Sequence, residues 1–302
     1  MDPTALNNNA LKADDLSYPE REAGLLTDCG VQGVGKTYQN MKVIVNYVKN
    51  KIDIKVKGKK VLIYDTNGEY TESQFRKNGH EVVIKLIKLQ DVRDWCQSEV
   101  VEIRRIDAKH LSIPQKKYIL EYLLKNFVDG LLVLEDINTY VLQIHHLEEA
   151  VGNIIKLRHK GTDCLISYQT ARAIDPRIYG NSRWVRMHFQ SGDVDDIKDK
   201  VPNPQLYKIG QLMVNHRYIN ATPENNDERF FVYITKFGMG LRGPFRKEEF
   251  LYASTQYLHL NPKLVNQQMR IYKTKEDVAY KQLTNLYYRM YYDNKDKEKL
   301  VA

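Results

Sequence analysis

The chain has 302 residues, of which 42% are hydrophobic, and it carries a formal net charge of +8. This length suits one large domain, or one domain with a smaller partner, and the hydrophobic share excludes a wholly disordered chain. The positive charge favours a polyanionic partner, although scattered lysines would give the same total. The three cysteines lack the spacing of metal ligands, which indicates small core residues in a reducing compartment.

No stretch of the sequence approaches the roughly 20 apolar residues that a membrane span needs. Residues 1–20 are polar and include the run Asn7-Asn8-Asn9, which is not typical of a signal peptide. We therefore expect a cytoplasmic protein without a membrane span, in which residues 1–21 form a mobile or docking arm.

Residues 30–37 carry the most specific motif of the chain. They read GVQGVGKT and meet every required position of G-x-x-x-x-G-K-[ST]. Such a loop turns successive backbone N–H groups toward one point, where they hold phosphate oxygens. Lys36 is expected to reach the β- and γ-phosphates of ATP, and the Thr37 hydroxyl to hold Mg²⁺. The residues predicted to bind the nucleotide are Gly30, Val31, Gln32, Gly33, Val34, Gly35, Lys36, Thr37 and Tyr38.

The segments around this loop predict a strand before it and alternating elements after it. Residues 23–29 form a short strand that enters the loop, and the helix after the loop has an apolar face made by Met41, Ile44, Val45 and Val48. The elements predicted next are a strand over 61–65, a turn over 66–70, a helix over 71–78, strands over 81–89 and 100–106, and a helix from Ser112 to Phe127. That last helix places Ile119, Tyr122 and Leu123 on one face.

Residues 130–136 are four apolar residues after a glycine that run into two carboxylates, Glu135 and Asp136. Phosphoryl transfer from ATP needs one acid near the Mg²⁺ ion and one that orients or activates the attacking water. We expect Glu135 to be the metal-binding acid and Asp136 the water-positioning one, and the reverse assignment stays open.

A further strand over 164–169 ends in Gln169, whose amide can reach the γ-phosphate or the attacking water. Between the acids and this strand, Asn138 or Thr139 caps a helix with the apolar stripe Leu147, Val151, Ile154 and Ile155, which ends at Gly161. One more strand is predicted over 184–189. The alternation of strands and helices indicates a mostly parallel sheet of the α/β class.

Arg158 lies at the end of the helix before Gly161. A cation at a helix C-terminus is ordinary dipole complementarity, but it also suits an arginine finger that acts on the ATP of a neighbouring subunit. The residues that compete for this role are Arg172, Arg177 and Arg183.

From Ser191 the sequence changes character, and we place a boundary near residue 195. The predicted organisation is an arm over 1–21, an ATPase core over 22–195 and an accessory region over 196–302. In the last region we expect a strand over 229–235, a loop over 238–244 and a helix over 277–292 with Ala279, Leu283, Leu286 and Met290 at helical spacing.

The order of these motifs resembles the FtsK/HerA superfamily, and within it the genome-packaging ATPases of double-stranded DNA viruses. The resemblance covers residues 24–190. The residues that match the Asp-x-x-Gly-Glu-Tyr turn of HerA-type members are Asp65, Gly68, Glu69 and Tyr70. Arg158-His159, Gln169 and Asn181-Ser182-Arg183 follow in the order that packaging ATPases show. The family usually has Asp-Glu where this chain has Glu135-Asp136, which leaves the division of labour between the two acids open.

This resemblance implies an ASCE-type RecA-like fold with a mostly parallel sheet, followed by a smaller C-terminal α+β region. It also implies a homo-oligomeric ring that binds ATP and Mg²⁺ and moves double-stranded DNA, with a capsid vertex or portal protein as partner and the host cytoplasm or the virion as location. The alternatives are a cellular or plasmid-borne translocase or helicase, a phage assembly ATPase, and a virion protein that binds nucleotide without hydrolysing it.

Overall fold

The structure is a computed structural model that describes residues 23–49, 58–140, 144–222, 224–225, 227–235 and 238–292. The predicted arm over 1–21 lies outside the described residues. None of the helices in the described ranges combines the length and the apolar character that crossing a membrane requires.

The described elements alternate between strands and helices along most of the chain. The strands are β1 (Leu25–Cys29), β2 (Lys60–Asp65), β3 (Ile84–Leu86), β4 (Ile103–Asp107), β5 (Gly130–Leu134), β6 (Asp163–Tyr168), β7 (Ser182–Met187), β8 (Val232–Thr235) and β9 (Leu241–Arg242). The helices are α1 (Lys36–Val48), α2 (Glu72–Lys77), α3 (Val92–Gln97), α4 (Ile113–Asn126), α5 (Ile144–Lys156), α6 (Pro176–Asn181), α7 (Pro204–Ile219), α8 (Lys247–Leu260), α9 (Pro262–Tyr272) and α10 (Glu276–Tyr291).

These strands form one nine-stranded sheet with the order β3-β4-β2-β5-β6-β1-β7-β8-β9. The strands from β3 to β7 pair in parallel, and β8 and β9 add an antiparallel edge. β6 lies between β1, which enters the phosphate loop, and β5, which enters the acidic pair. A strand between the strand of the phosphate loop and the strand of the acidic pair is the feature of the ASCE-type fold. The predicted α/β fold class is confirmed.

The continuous apolar runs of the sequence arise because the central strands are buried on both faces. In β2, Leu62 and Tyr64 point into one core cluster, and Val61 and Ile63 point into the other. The first cluster also holds the buried face of α4, and the second holds the buried face of α1. A parallel sheet covered by helices on both sides produces this pattern.

Several predicted elements have different bounds in the structure. The strand predicted over 81–89 is limited to Ile84–Leu86, and the short helix α3 was not predicted. In α4 the fully buried residues are Leu120, Leu123 and Leu124, while Ile119 and Tyr122 are only partly buried. The apolar face of α4 is therefore rotated by about one residue from the predicted one.

The C-terminal region contributes both to the sheet and to a helical layer. β8 and β9 extend the sheet, with β9 inside the predicted loop over 238–244, and α8 packs against α7 and α10. All four residues named for the predicted helix lie in α10, where Ala279 and Leu283 are buried, but Leu286 is 48% and Met290 44% exposed. Tyr287 and Tyr291 lie on the buried face instead, because they follow Leu283 at intervals of four residues and their rings extend the same stripe. The boundary near residue 195 remains a prediction.

Candidate nucleotide site

The phosphate loop connects the end of β1 to the start of α1. Gly35 caps α1 with a φ of 87°, and Gly33 has a φ of 86°, a left-handed conformation that favours glycine. The backbone N–H of Gly30 donates to the carbonyl of Tyr168 at 3.2 Å, and that of Val31 donates to the carbonyl of Phe189 at 3.1 Å. The start of the loop is therefore fixed to the ends of β6 and β7 on either side of β1.

Gly30 also has a steric reason to be glycine. A Cβ built on it would lie 2.7 Å from Cβ of His188 and 3.0 Å from Cγ2 of Val34. Lys36 folds back over this residue, since its Nζ donates to the carbonyls of Gly30 at 2.6 Å and Val31 at 2.9 Å. The ammonium group is thus held at the centre of the loop, where phosphate oxygens are predicted to bind.

A second turn faces the loop from the end of β2. The carboxylate of Asp65 accepts the backbone N–H groups of Gly68 at 2.7 Å, Glu69 at 3.1 Å and Tyr70 at 3.0 Å, and it pairs with Arg105 at 2.8 Å. This buried carboxylate shapes the turn, in the way that Asp side chains organise turns by bonding to the following backbone. Asp65, Gly68, Glu69 and Tyr70 are the residues that match the Asp-x-x-Gly-Glu-Tyr motif in the sequence.

The turn directs Glu69 at the phosphate loop. The Thr37 hydroxyl donates to Oε2 of Glu69 at 2.5 Å, which joins the predicted metal-binding hydroxyl to a carboxylate. Glu69 was identified in the sequence as part of a motif but was not assigned to the site. The signal that could have found it is the strand end itself, because carboxyl ends of parallel strands share one edge of the sheet.

Glu135 follows β5 at the same edge of the sheet and is buried there. Only 5% of the residue is exposed, and its Oε2 makes no hydrogen bond with the described residues. Burial raises the pKa of Glu135 well above its ordinary value, the carboxylates of Glu69, Asp65 and Asp136 raise it further, and Lys36 lowers it. A carboxyl group in this environment is stabilised in its charged form by a cation.

Asp136 is more exposed than Glu135 and has different partners. Its Oδ2 accepts hydrogen bonds from Nδ2 of Asn67 and from Nε2 of Gln169, both at 3.2 Å. Its backbone is left-handed, with φ at 44°, which turns the chain sharply after Glu135. The structure therefore brings the predicted residues Asp136 and Gln169 together, and it adds Asn67 to them.

The residues present fit a Mg²⁺ ion, and the observation that tests this is the unpartnered Oε2 of Glu135. Mg²⁺ prefers oxygen ligands and is usually held by one or two carboxylates together with substrate phosphates. The Thr37 hydroxyl, the Glu69 carboxylate and the buried Glu135 carboxylate supply such oxygens. A divalent cation among them would offset the repulsion that raises the pKa of Glu135.

A buried polar network lies beneath the loop and was not found from the sequence. Arg186 of β7 pairs with Asp28 of β1 at 2.8 Å, both side chains are fully buried, and the guanidinium also bonds to the amide oxygen of Asn40 in α1. Asn40 in turn donates to Ser167 at the end of β6 at 2.8 Å. Nε2 of His188 lies 3.2 Å from Asp28. The network ties α1 to β1, β6 and β7.

The arginines considered for action on a neighbouring subunit lie at two different edges. Arg158 precedes β6, and Arg183 is the second residue of β7. Both therefore lie at the amino edge of the sheet, opposite the phosphate loop. Arg172 follows β6 at the carboxyl edge, and Arg177 lies in α6 between β6 and β7, where Asp175 holds it at 3.0 Å. Arg158 is therefore not brought together with the other predicted site residues of its own chain.

No family model matches the chain, and no curated protein matches its sequence. Solved structures that it resembles include the genome packaging NTPase B204 from Sulfolobus turreted icosahedral virus 2 in complex with AMPPCP. That match has 12% identity and a TM-score of 0.46, and it covers 74% of this chain and 100% of the other. The B204 DNA-packaging ATPase from Sulfolobus turreted icosahedral virus has 14% identity and a TM-score of 0.46, over 75% of this chain and 100% of the other.

A third similar structure is the N-terminal domain of zonular occludens toxin from Neisseria meningitidis. It has 14% identity and a TM-score of 0.32, over 55% of this chain and 76% of the other. Similarity at this level carries no conclusion about substrate, and the fold class rests on the strand order and the phosphate loop. The chain thus has the fold of a P-loop NTPase, as its strand order and the geometry of its phosphate loop show.

Proposed function

We propose that this chain is an ATP-driven DNA translocase, and specifically a genome-packaging ATPase of a double-stranded DNA virus. It works as a homo-oligomeric ring in the host cytoplasm or on the virion, where a capsid vertex or portal protein is its partner. The observation that carries the proposal is the meeting of the Lys36 loop with Glu69, Glu135 and Asp136 at one edge of the sheet.

Each site residue has a role in ATP hydrolysis that its surroundings support. Lys36 leaves the carbonyls of Gly30 and Val31 to contact the β- and γ-phosphates, and Gly33 and Gly35 let the backbone approach them. Thr37 and Glu135 would hold Mg²⁺, which would neutralise charge on the phosphates. The burial of Glu135 disfavours its charged form unless a cation lies beside it, which supports its assignment as the metal-binding acid.

Asp136 is the acid that we assign to the attacking water. Its carboxylate is partly exposed, so water reaches it, and the Asn67 and Gln169 amides hold one of its oxygens in place. A carboxylate fixed in this way leaves its other oxygen to accept a hydrogen bond from water and to orient it for attack. Gln169 positions Asp136 and reaches toward the γ-phosphate.

DNA as the cargo is supported by the motif order and by charge. The sequence from the loop to residue 190 follows the order of the packaging ATPases, and the net charge of +8 favours a polyanion. Arg158 serves as the arginine finger for the adjacent subunit of the ring. A ring also gives a central channel whose loops can push on duplex phosphates.

The test is an ATPase assay on the purified chain with linear duplex DNA, with single-stranded DNA and without DNA. We expect turnover that duplex DNA stimulates, and its loss in Lys36→Ala and Asp136→Ala. Stimulation by single strands alone would favour a helicase of the same superfamily. Binding of ATP without any turnover would favour a nucleotide-binding virion protein, and the motor proposal would then be wrong.

A further inference from the structure

The segment that leads into β8 reaches the phosphate loop from the C-terminal part of the sequence. β8 pairs antiparallel with β7, and Val232 at its start lies opposite Met187 at the end of β7. Because β7 runs parallel to β1, its end lies at the sheet edge that carries the phosphate loop. Residues 227–231 therefore arrive at this edge, although they belong to the predicted accessory region.

Arg229 of this segment lies directly on the residue that caps α1. A Cβ built on Gly35 would lie 3.3 Å from Cγ of Arg229 and 3.5 Å from its Cβ and Cδ. The aliphatic part of Arg229 therefore covers Gly35, and its guanidinium carbon lies 5.8 Å from the centre of the Tyr38 ring. Its Nε lies 3.9 Å from Glu228, and 46% of its side chain is exposed. An ion pair this long and this exposed is weak, so the guanidinium can exchange it for a ligand.

The place of this guanidinium along the loop indicates which part of a nucleotide it meets. In loops of this kind the lysine reaches the β- and γ-phosphates, and backbone N–H groups hold the α- and β-phosphates. Arg229 lies beside Gly35 and Tyr38, whereas Glu69 and Glu135 face Thr37 and Lys36. The Lys42 ammonium lies 4.4 Å from the centre of the Tyr38 ring, which adds a second cation beside this ring. Two cations, Arg229 and Lys42, thus lie beside the Tyr38 ring in the first turn of α1, and Glu228 is the carboxylate near Arg229.

The backbone that carries Arg229 is fixed on its other side by an ion-pair cluster. Arg217 of α7 donates to both carboxylate oxygens of Asp227, at 2.7 and 2.9 Å, and its Nη2 lies 2.5 Å from Oε1 of Glu249 in α8. The guanidinium carbon of Arg217 also lies 5.0 Å from the centre of the Phe230 ring. Contacts on both sides of Arg229 hold its backbone in place, which lowers the entropy cost of binding through its side chain.

We propose that Arg229 binds the nucleotide in the site of its own chain, where its guanidinium contacts the α-phosphate beside Tyr38. This inference rests on the proposed nucleotide-binding function and adds a residue of the C-terminal region to that site. A guanidinium offers paired donors to phosphate oxygens that a neutral side chain does not. Since ATP and ADP share the α-phosphate, the contact stabilises both complexes.

The test is calorimetric titration of the purified chain with ATP and with ADP, each in the presence of Mg²⁺. We expect Arg229→Ala to weaken both nucleotides by the same factor, about tenfold, as loss of a charge-assisted hydrogen bond predicts. Arg229→Gln keeps most of the stem over Gly35 but not the charge, and should bind as weakly as the alanine variant. Arg229→Lys should retain part of the affinity. The matched control is Arg270→Ala, at an exposed position of α9, which should leave both affinities unchanged.

Two results would overturn the inference. One is an affinity within about twofold of wild type for both nucleotides in the alanine and glutamine variants. The other is a loss confined to ATP, which would place the guanidinium at the γ-phosphate. If the wild type binds neither nucleotide, the proposed function fails as a whole. If the wild type binds, Lys36→Ala does not, and the Arg229 variants bind normally, only the role of Arg229 fails. Thermal unfolding without nucleotide checks that Arg229→Gln is folded.

Discussion

Glu69 is the residue whose place in the site depends most on the turn before it. Four partners hold Asp65, and three of them are backbone N–H groups of the turn, so the carboxylate of Glu69 is brought to the Thr37 hydroxyl. A carboxylate in this position can accept from Thr37 directly or from a water bound to Mg²⁺. The contribution of Glu69 to ATP binding should therefore appear only when Mg²⁺ is present.

We expect Glu69→Gln to weaken ATP binding about tenfold in Mg²⁺ and to leave binding in excess chelator unchanged, because the substitution removes a charge and keeps the shape. Calorimetric titration under the two conditions measures this difference. Glu81→Gln, at an exposed position, is the matched control. An equal loss in both conditions would mean that Glu69 acts on the loop and not on the metal.

Gly30 and Gly33 allow a comparison of steric crowding with backbone strain. Alanine at 30 meets His188 at 2.7 Å, whereas alanine at 33 meets nothing within 4 Å but must keep a φ of 86°. We expect Gly30→Ala to lower the free energy of unfolding by about 2–3 kcal/mol, and Gly33→Ala by about 1 kcal/mol. Urea denaturation measures both values. A smaller loss for Gly30→Ala than for Gly33→Ala would show that the His188 side chain moves aside freely.

Among the elements, β1 and β7 are joined by backbone hydrogen bonds and also by the buried ion pair of Asp28 with Arg186. Burial alone would raise the pKa of Asp28, but Arg186 and then His188 hold it well below its ordinary value. The carboxylate is therefore charged in the interior and depends on its partners. Removing one partner leaves a buried charge without compensation, which costs more than removing both.

We expect Arg186→Met to lower the free energy of unfolding by about 3–5 kcal/mol, because Asp28 would keep its charge or take up a proton in the core. The double variant Asp28→Asn, Arg186→Met should lose less than the sum of the two single losses. Chemical denaturation of the wild type, the two single variants and the double variant gives the coupling free energy between the two side chains. Additive losses would show that the two side chains contribute independently.

His188 gives this region a defined response to acid. Burial lowers the pKa of His188 below its ordinary value of about 6.5, and the attraction of Asp28 opposes this only in part. Below about pH 6.5 the unfolded chain therefore binds a proton that the folded chain does not. The stability from the neutral ring is complete above that pH and is lost as the pH falls toward the folded-state pKa.

Between about pH 7 and pH 5 we expect His188 to lower the free energy of unfolding by at most about 1.4 kcal/mol per pH unit, while Glu135, whose pKa is raised in the folded chain, acts in the opposite direction. His188→Asn should flatten this dependence, and His110→Asn, at an exposed position, should not. Denaturation curves at several pH values measure the slope. An unchanged slope in His188→Asn would contradict the assignment.

Helix α7 shows where sequence patterns fail at the scale of an element. Its buried residues are Leu206, Tyr207, Lys208, Ile209, Gly210, Gln211, Met213 and Val214, which surround the helix and leave no single apolar stripe. A helix buried on most sides does not give the periodicity that identifies an amphipathic one. By contrast, α1 and α2 were predicted because each has a turn or cap before it and one buried face.

At the scale of the whole molecule, Arg158 lies away from the nucleotide site of its own chain. It lies at the amino edge of the sheet, while the phosphate loop of the same chain lies at the carboxyl edge. The fold therefore favours action on an adjacent copy over action within the chain. This placement agrees with the ring that we propose.

We expect Arg158→Ala to bind ATP normally and to lose turnover in the assembled state, because the transition-state cation is missing. Mixing it with Lys36→Ala should restore part of the turnover, since some neighbours would then combine an intact loop with an intact arginine. ATPase assays of each variant alone and of the mixture test this. Full activity of Arg158→Ala alone would transfer the role to Arg177 or Arg183.

The sequence predicted the parallel core and the strand ends that the structure brings together in the candidate site, because both depend on local patterns. Glu135, Asp136 and Gln169 each follow an apolar run, and parallel strands bring such ends together. Arg229 could not be predicted, because its position depends on the reversal of direction in β8. Arg186 was missed since a charged residue in a strand normally indicates exposure, and only its pairing with Asp28 explains its burial.

The buried network under the phosphate loop has a consequence for the kinetics of binding. Because Asp28, Asn40 and Arg186 bond β1, α1 and β7 to one another, the loop keeps its shape through contacts within the protein. An incoming nucleotide then meets a loop whose backbone is already shaped, and only the Lys36 side chain has to move, so its rate of association should depend mainly on diffusion and ionic strength. Differences in affinity between nucleotides should accordingly reside in how long each one stays bound.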